Sequence, residues 1–285
     1  MTEYRVFTFS PAKTGRRYVK YPDAEERIDK IACELGVPPK NYRNYSLPYM
    51  RVEYDTAAYY DIYKTAEKYG YTARICTYSM EYTKKDLDNS DYFELKLGIY
   101  GKEDYTEKYQ TKFTYSYCES CDTYQYLPEG EIYIKKTEFK GKDISTSMNG
   151  NNEIIVSDKI KTLIEELNLT GVKFYPAYHY NNRLKNDFPV WHMVVTNELP
   201  PMDESVPLRI DDGYCSVCKK HHVLPLSYLR YSKTALDNAC DFNISCESFE
   251  NGWYGSPRLI ISRRVYEMLK NNKIKGCRFE IVGIV

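Results

Sequence analysis

Two cysteine pairs carry the clearest chemical signal in this sequence of 285 residues. Cys118 and Cys121 enclose two residues in YCESCDTY, and Cys215 and Cys218 repeat that spacing in YCSVCKKHH. Thiolates at this spacing either exchange electrons as a dithiol and disulfide or hold a metal ion. The sequence around each pair therefore has to indicate whether the cysteines support redox chemistry or metal binding.

The sequence that follows each pair argues against a redox centre. A redox pair of the thioredoxin type lies at the N-terminus of a helix, where the helix dipole lowers the pKa of the thiol. CDTYQYLPEGEIYIKK instead continues as a strand pattern, and CKKHHVLPL runs into a proline. Metal sites and plain free thiols are the alternatives that then compete.

The positions of other Cys and His residues in the sequence help to distinguish two separate metal sites from one shared site. Four candidates follow the second pair within 28 residues (246 − 218), namely His221, His222, Cys240 and Cys246. The first pair lacks such candidates, because no Cys or His occurs between Cys121 and His179. Two complete tetrahedral sites are therefore hard to build. His221 and His222 could also act as outer contacts or as substitute ligands of a site that the second pair shares.

A single shared site satisfies the ligand preference of zinc. Four thiolates complete a tetrahedral, structural zinc site with no position left for water. We therefore expect one structural zinc held by Cys118, Cys121, Cys215 and Cys218. The 93 residues between the pairs, Asp122 to Tyr214, exceed the roughly 15–20 of compact zinc modules. Two separate sites and plain thiols remain alternatives. The other five cysteines are expected to be small core residues: Cys33, Cys76, Cys240, Cys246 and Cys277.

No catalytic motif accompanies these cysteines. The chain contains four histidines. His179 and His192 lie in strand-like segments, which favours hydrogen-bonded structural roles. No phosphate-binding glycine loop, dinucleotide fingerprint, HExxH or GxSxG pattern occurs. We therefore expect a protein that binds rather than catalyses.

An internal repeat follows the cysteine pairs. IIVSDKIKTLIEELNLTGVKFYP, from Ile154, aligns without gaps on LIISRRVYEMLKNNKIKGCRFEI, from Leu259, at an offset of 105 (259 − 154). Identical residues occupy four aligned positions: Ile155/Ile260, Ser157/Ser262, Gly171/Gly276 and Phe174/Phe279. The pattern predicts a strand, a helix capped by Ser, a left-handed exit at Gly and a second strand.

Alternating helices and strands are predicted in the first ~110 residues. Helices are expected at 23–36 and 56–69, stopped by Gly36 and Gly70, with a short helical turn at TKKDL. TARICTYS and DYFELKLGIY are typical of strands. The expected fold class is α+β. A Tyr-rich N-terminal α/β region (1–110) precedes two related lobes (111–198 and 199–285), each a CxxC knuckle plus a strand–helix–strand unit.

Composition restricts the functional classes. Lys plus Arg and Asp plus Glu each number 40, so no net charge attracts nucleic acid or anionic lipid. The N-terminus lacks the apolar stretch of a secretory signal, and no apolar run approaches the ~18 residues of a membrane span. An odd number of cysteines, nine, fits metal or thiol chemistry in a reducing compartment. We expect a cytoplasmic protein without a membrane partner.

One local charge patch gives nucleic acid as an alternative partner. The stretch from Arg258 to Glu280 contains seven basic residues and two acidic ones. A basic helix beside a zinc knuckle could contact phosphates. The residues that would do so are Arg263, Arg264, Lys270 and Lys273.

The layout CESC…IIVS…TGVKFYP followed by CSVC…LIIS…KGCRFEI resembles the double-CXXCG motif family of bacterial proteins. The resemblance covers roughly Phe113 to Val285 and departs from the family pattern at Asp122 and Lys219, where glycine would be expected. Asp tolerates the left-handed conformation of that position, and Lys tolerates it less well.

The resemblance implies a non-enzymatic immunity protein. Members are associated with polymorphic and contact-delivered toxin systems, so the expected partner is a cognate protein toxin that the chain neutralises by direct binding. Tyr and Arg are enriched at protein interfaces, and YRNYSLPYMRVEY supplies both. The candidate partner-binding residues are Tyr42, Tyr45, Tyr49, Arg51 and Tyr54.

Overall fold

The chain forms two compact units, Met1–Asp88 and Asn89–Val285. The computed structural model describes residues 1–11, 24–37, 49–98, 113–128, 132–134, 139, 141–147, 150–179, 189–250 and 255–285. Within these ranges strands predominate and the helices are few and short, so the expected α+β class is confirmed.

The helices number six in the described ranges. They are α1 (Ala24–Glu34), α2 (Ala57–Lys68), α3 (Lys84–Asp88), α4 (Asp158–Glu166), α5 (Lys233–Leu236) and α6 (Arg263–Asn271).

The strands of the N-terminal unit are β1 (Thr2–Pro11), β2 (Tyr49–Glu53) and β3 (Tyr71–Glu81). The strands of the C-terminal unit are β4 (Tyr92–Leu97), β5 (Phe113–Cys118), β6 (Thr123–Pro128), β7 (Ile132–Ile134), β8 (Ile144–Ser147), β9 (Gly150–Ser157), β10 (Val172–His179), β11 (Val190–Val195), β12 (Leu208–Tyr214), β13 (His221–Pro225), β14 (Arg230–Tyr231), β15 (Phe242–Ile244), β16 (Ser248–Glu250), β17 (Gly255–Ser256), β18 (Leu259–Ser262) and β19 (Cys277–Ile284).

The N-terminal unit is an antiparallel sheet in the order β2-β1-β3, with α1 and α2 contributing to one apolar core. Phe7 and Phe9 are buried because alternate residues of β1 point to the same face. Ile31 and Ile62 meet them from the two helices. Fully burying a side chain of this size contributes about 1.5–3 kcal/mol. Both predicted helices form where the sequence placed them, and Thr56 caps α2 by accepting from the Tyr59 amide at 3.4 Å.

Two five-stranded sheets dominate the C-terminal unit. Their strand orders are β7-β10-β11-β9-β8 and β14-β19-β4-β18-β15. Each contains one copy of the predicted strand–helix–strand unit. Ser157 caps its helix by accepting from the Ile160 amide, whereas Ser262 holds the equivalent position but donates to the Asp241 carboxylate at 2.7 Å instead. The left-handed residues that follow the helix ends are Asn168 (φ +49°) and Lys273 (φ +52°), while Gly171 (φ +92°) and Gly276 (φ +103°) have positive φ directly before the second strand. The predicted secondary structure of the repeat is therefore confirmed in both segments.

Strand β4 lies in a different sheet from the strands that precede it in the sequence. It follows the N-terminal unit directly, and the sequence placed it in the N-terminal region. In the structure it pairs with β18 and β19, which begin more than 150 residues later. The division of the chain into regions at 110 and 198 remains a prediction.

Candidate metal centre

Two β-hairpins place the four predicted ligands. Strand β5 ends at Cys118 and pairs antiparallel with β6, so the turn between them carries Cys121. Strand β12 ends one residue before Cys215 and pairs with β13. Each cysteine pair therefore lies at the tip of a hairpin, and neither pair begins a helix, which removes the structural basis for a lowered thiol pKa of the thioredoxin type.

The residue that follows each cysteine pair adopts the left-handed backbone conformation, although neither residue is a glycine. Asp122 has φ +54° and Lys219 has φ +60°. The Lys219 amide donates to the Cys215 carbonyl oxygen at 2.9 Å, and the Cys215 amide donates to the Lys220 carbonyl at 2.9 Å. The turn forms without glycine because these bonds and the paired strands hold its backbone.

The four sulfur atoms converge across the two hairpins. The Cys118 and Cys215 Sγ atoms are 3.6 Å apart, and those of Cys121 and Cys218 are 3.7 Å apart. All four Sγ atoms lie within 4.8 Å of one another. A tetrahedral zinc with bonds of about 2.3 Å separates its sulfur ligands by about 3.8 Å. The sequence prediction that these four cysteines come together is met, and the cluster could hold a metal ion.

The two thiols of the second knuckle differ in acidity. Backbone amides of Cys218 and Val217 donate to the Cys215 sulfur and lower the pKa of that thiol to about 6. Burial raises the pKa of Cys218. Because a metal binds the thiolate, Cys215 is better prepared than Cys218 to act as a ligand.

His222 lies against the cluster. Its side chain is 2% exposed, and its Nε2 is 3.3 Å from the Cys121 sulfur and 3.6 Å from the Cys218 sulfur. These are distances at which an imidazole N–H can donate to a thiolate. The sequence indicated His222 as a possible ligand or as a contact outside the ligands. It could not decide between these roles, because the distance of the imidazole from the sulfurs depends on the pairing of the hairpins.

The remaining cysteines lie outside the four-sulfur group in the described part of the chain. Cys33 is exposed on α1, so its expected core position is wrong: it lies one residue beyond the buried Ala32, where the helix turns toward solvent. Cys76, Cys240, Cys246 and Cys277 are partly buried. No disulfide joins any of the nine cysteines, all of which lie in described ranges.

The predicted partner-binding residues are only partly described. Tyr42 and Tyr45 lie outside the described residues. Tyr49 is half-buried on β2, and Tyr54, 41% exposed, lies under the Arg5 guanidinium at 4.1 Å. Arg51 is 17% exposed, because it pairs with Glu81 at 2.7 Å and stacks over the Tyr4 ring.

The basic residues of α6 make contacts within the protein. Arg263 donates to the Ser90 carbonyl and lies near Asp91, while Arg264 binds Asp241 at 3.0 Å. Lys270 donates to the Tyr266 hydroxyl at 3.0 Å. Lys273 is exposed just beyond the helix. These contacts engage three of the four cations proposed for phosphate binding.

The sequence did not predict the burial of two carboxylates, Glu247 and Glu94. Glu247 accepts from the Met202 amide at 2.6 Å, and its burial raises its pKa. Glu94 lies on the central strand β4 and pairs with Arg258 at 3.2 Å. Neither residue has a local sequence signal. Glu94 is buried because β4 pairs with strands far away in the sequence, and Glu247 lies between β15 and β16.

The structure therefore defines a mixed α+β protein, rich in strands, with a cluster of four cysteines at the tips of two hairpins. Residues 122–283 match the immunity protein family Imm11. The match spans more than half of the 285 residues, and the chain belongs to this family. No curated protein sequence matches the chain significantly. In the described residues, no helix has the length and hydropathy to cross a bilayer.

Proposed function

We propose that this chain is a non-enzymatic bacterial immunity protein that neutralises a cognate toxin by direct binding in the cytoplasm. Membership of the Imm11 family is the observation that carries this proposal. The absence of any catalytic motif in the sequence is consistent with it. The resemblance to the double-CXXCG motif family belongs to the same proposal, with Asp122 and Lys219 in place of its glycines.

One structural zinc is the cofactor that the cysteine cluster fits best. A tetrahedral set of four thiolates is typical of structural zinc sites and disfavours hard ions such as magnesium and calcium. Cys118, Cys121, Cys215 and Cys218 would hold the ion, which would cross-link the two hairpins and leave no position for substrate. The His222 imidazole would orient the Cys121 thiolate.

Two related lobes are the second part of the proposal. Each would combine a CxxC knuckle with a strand–helix–strand unit, and the zinc would fix one lobe to the other. The matching strand orders of the two five-stranded sheets support this relationship.

The toxin-binding surface is proposed in the N-terminal region. Tyr42, Tyr45, Tyr49, Arg51 and Tyr54 remain the candidates, since aromatic and Arg side chains contribute most to protein interfaces. Tyr54 is the best supported of the described residues, because its ring is exposed while Arg5 holds it in place. Substitution of Tyr54 by Ala should weaken a toxin complex without loss of fold.

Metal analysis tests the zinc site. The purified protein should contain one zinc per chain, and the Cys118→Ser and Cys215→Ser variants should each lose it. Cys33→Ser is the matched control, because that cysteine is exposed and lies outside the group of four. Full zinc occupancy in both ligand variants would exclude the shared site.

Isolation and expression of the partner test the immunity function. A tagged chain is recovered from a nuclease-treated lysate of source cells, and a co-purifying protein is then expressed alone and with this chain. Growth arrest by that protein alone, with rescue on co-expression, supports the proposal. A partner that is harmless alone would contradict it. Recovery of protected nucleic acid, lost in an Arg263→Ala, Arg264→Ala variant, would instead favour the nucleic-acid alternative.

A further inference from the structure

The two five-stranded sheets agree in more than strand order. In one sheet Ser157 lies opposite Val190 and Val172 opposite Val195. In the other, Ser262 lies opposite Tyr92 and Cys277 opposite Leu97. The helix-flanking strands are related by 105 residues (262 − 157), and the central strands by 98 (190 − 92). The central strands β4 and β11 are therefore equivalent in register as well as in position.

The backbone bonds at the ends of the central strands are also equivalent. The Asp158 amide donates to the Pro189 carbonyl at 3.0 Å, and Arg263 donates to Asp91 at 2.7 Å. At the other end, Thr196 donates to the Gly171 carbonyl at 2.9 Å. The amide of Gly98 donates likewise to Gly276 at 2.8 Å. Positions 91 and 98 thus repeat at 189 and 196, again 98 residues on.

Elements that lie between the central strands and the helices in the sequence also recur after 97 or 98 residues. Cys118 and Cys215 are 97 residues apart, and β8 and β15 begin 98 residues apart (242 − 144). Each repeat therefore begins with its central-type strand, continues through the knuckle and ends in the strand–helix–strand unit. The first repeat starts near Asp91 and the second near Pro189.

We infer that the two repeats exchange their first strands. Strand β4 begins the first repeat but lies between β18 and β19 of the second. Strand β11 begins the second repeat but lies between β9 and β10 of the first. Neither sheet is complete without a strand from the other repeat, so the two repeats form a single interlocked unit. This arrangement does not depend on the proposed binding of a toxin.

The contacts between the sheets have the reciprocity that such an exchange requires. The Thr170 amide donates to the Asp241 carboxylate at 3.0 Å, and the Lys275 amide donates to the Asp143 carboxylate at 3.1 Å. Asp143 and Asp241 are again 98 residues apart (241 − 143). Each contact thus repeats with the roles of the sheets reversed, as in an isologous dimer interface.

The cysteine cluster lies where the two repeats meet. Two of its sulfur pairs, Cys118 with Cys215 at 3.6 Å and Cys121 with Cys218 at 3.7 Å, join equivalent positions of the two knuckles. Equivalent atoms meet in this way only near a pseudo-twofold axis. A metal at that position would lock the hairpins of two repeats that already share their strands.

Hydrogen exchange with matched variants tests the exchange of strands. Leu95 on β4 and Met193 on β11 are equivalent positions, and both side chains are buried. Truncation of a buried Leu or Met leaves a cavity. Leu95→Ala should accelerate amide exchange in β18 and β19 roughly tenfold more than in β9 and β10, and Met193→Ala should do the reverse. The opposite assignment in the two variants would overturn the inference.

Cleavage of the folded full-length chain gives an independent test. A specific protease site is inserted between Gly98 and Phe113, and the cut protein is analysed by native gel filtration. The N-terminal piece, which ends with β4, should co-elute with the C-terminal piece and separate only in denaturant. Separation under native conditions would overturn the inference.

A control variant attributes the co-elution to β4. Phe93 is buried on β4 and stacks on Tyr266 with ring centroids 4.1 Å apart. Phe93→Ala in the cleavable protein should release the N-terminal piece. Tyr60→Ala, at an exposed position on α2, should not. Retention of the piece by the Phe93 variant would assign the association to another contact and contradict the role of β4.

Discussion

Cysteine side chains of this protein differ in reactivity according to where the fold places them. Burial raises the pKa of Cys246 to about 12 and that of Cys277 to about 11. Both therefore remain neutral thiols at pH 8, and only the thiolate reacts with alkylating reagents. Cys33, by contrast, is exposed on α1.

Iodoacetamide should therefore modify Cys33 well before Cys246 and Cys277 at pH 8. Peptide mapping by mass spectrometry at increasing times measures the order. In denaturant the three sites should react at similar rates, which controls for peptide detection. Modification of Cys246 in the native protein as fast as Cys33 would show that its surroundings are not as the structure describes.

A histidine beside the thiolates allows a second prediction at the residue scale. His222→Phe keeps an aromatic ring at this position and removes the Nε2 atom that lies 3.3 Å from the Cys121 sulfur. Loss of such an outer contact weakens metal affinity about 10–100-fold. We expect the variant to bind one zinc but to release it faster to a chromogenic chelator. His221→Phe, the adjacent and less buried position, serves as control, and equal release rates in the two variants would contradict the role of His222.

Elements were predictable where the signal is local. The limits of α2 follow from Thr56, the apolar spacing and Gly70, all within one stretch of sequence. The repeat was visible because both copies have the same apolar spacing and the same positive-φ Gly before the second strand, although only Ser157 caps its helix through its side chain. The place of β4 was not predictable, because pairing with β18 and β19 depends on side chains far away in the sequence. The four-cysteine site was predictable as a set of ligands, whereas the contact of His222 was not.

The glycines that directly precede β10 and β19, Gly171 and Gly276, give a prediction at the element scale. A Cβ on Gly276 would lie well inside van der Waals contact with the Ile144 carbonyl oxygen, and φ there is +103°. Gly141 also has a left-handed φ, +78°, but a Cβ there would meet no atom within 4 Å. Gly141→Ala should therefore cost only the backbone strain of about 1–2 kcal/mol.

Gly276→Ala should reduce the free energy of unfolding further, by about 2–5 kcal/mol in total, because steric overlap adds to strain. Urea denaturation of the two variants and the parent measures the difference. Gly171→Ala should behave like Gly276→Ala, since its Cβ would overlap the Phe242 carbonyl. Equal losses at Gly141 and Gly276 would indicate that the close approach of β8 to Gly276 is not maintained in solution.

The whole molecule combines two units that differ in what stabilises them. The N-terminal unit, Met1–Asp88, has an apolar core built from one sheet and two helices. The C-terminal unit contains all four clustered thiols and the two five-stranded sheets. A metal that binds only the folded state stabilises the unit that holds its ligands.

Removal of the metal should therefore affect the two units differently. With a strong chelator, amide exchange should accelerate first in the hairpins β5–β6 and β12–β13, because the proposed zinc would be the cross-link between their tips. The sheet β2-β1-β3 should keep its exchange rates, since its core contains no ligand of the cluster. Mass spectrometry of peptides from both units, before and after chelation and after zinc is restored, measures the effect. Unchanged hairpin exchange after verified loss of zinc would show that the interlocked strands alone hold the knuckles together. Equal acceleration in both units would instead mean that the N-terminal unit depends on the C-terminal one for its stability.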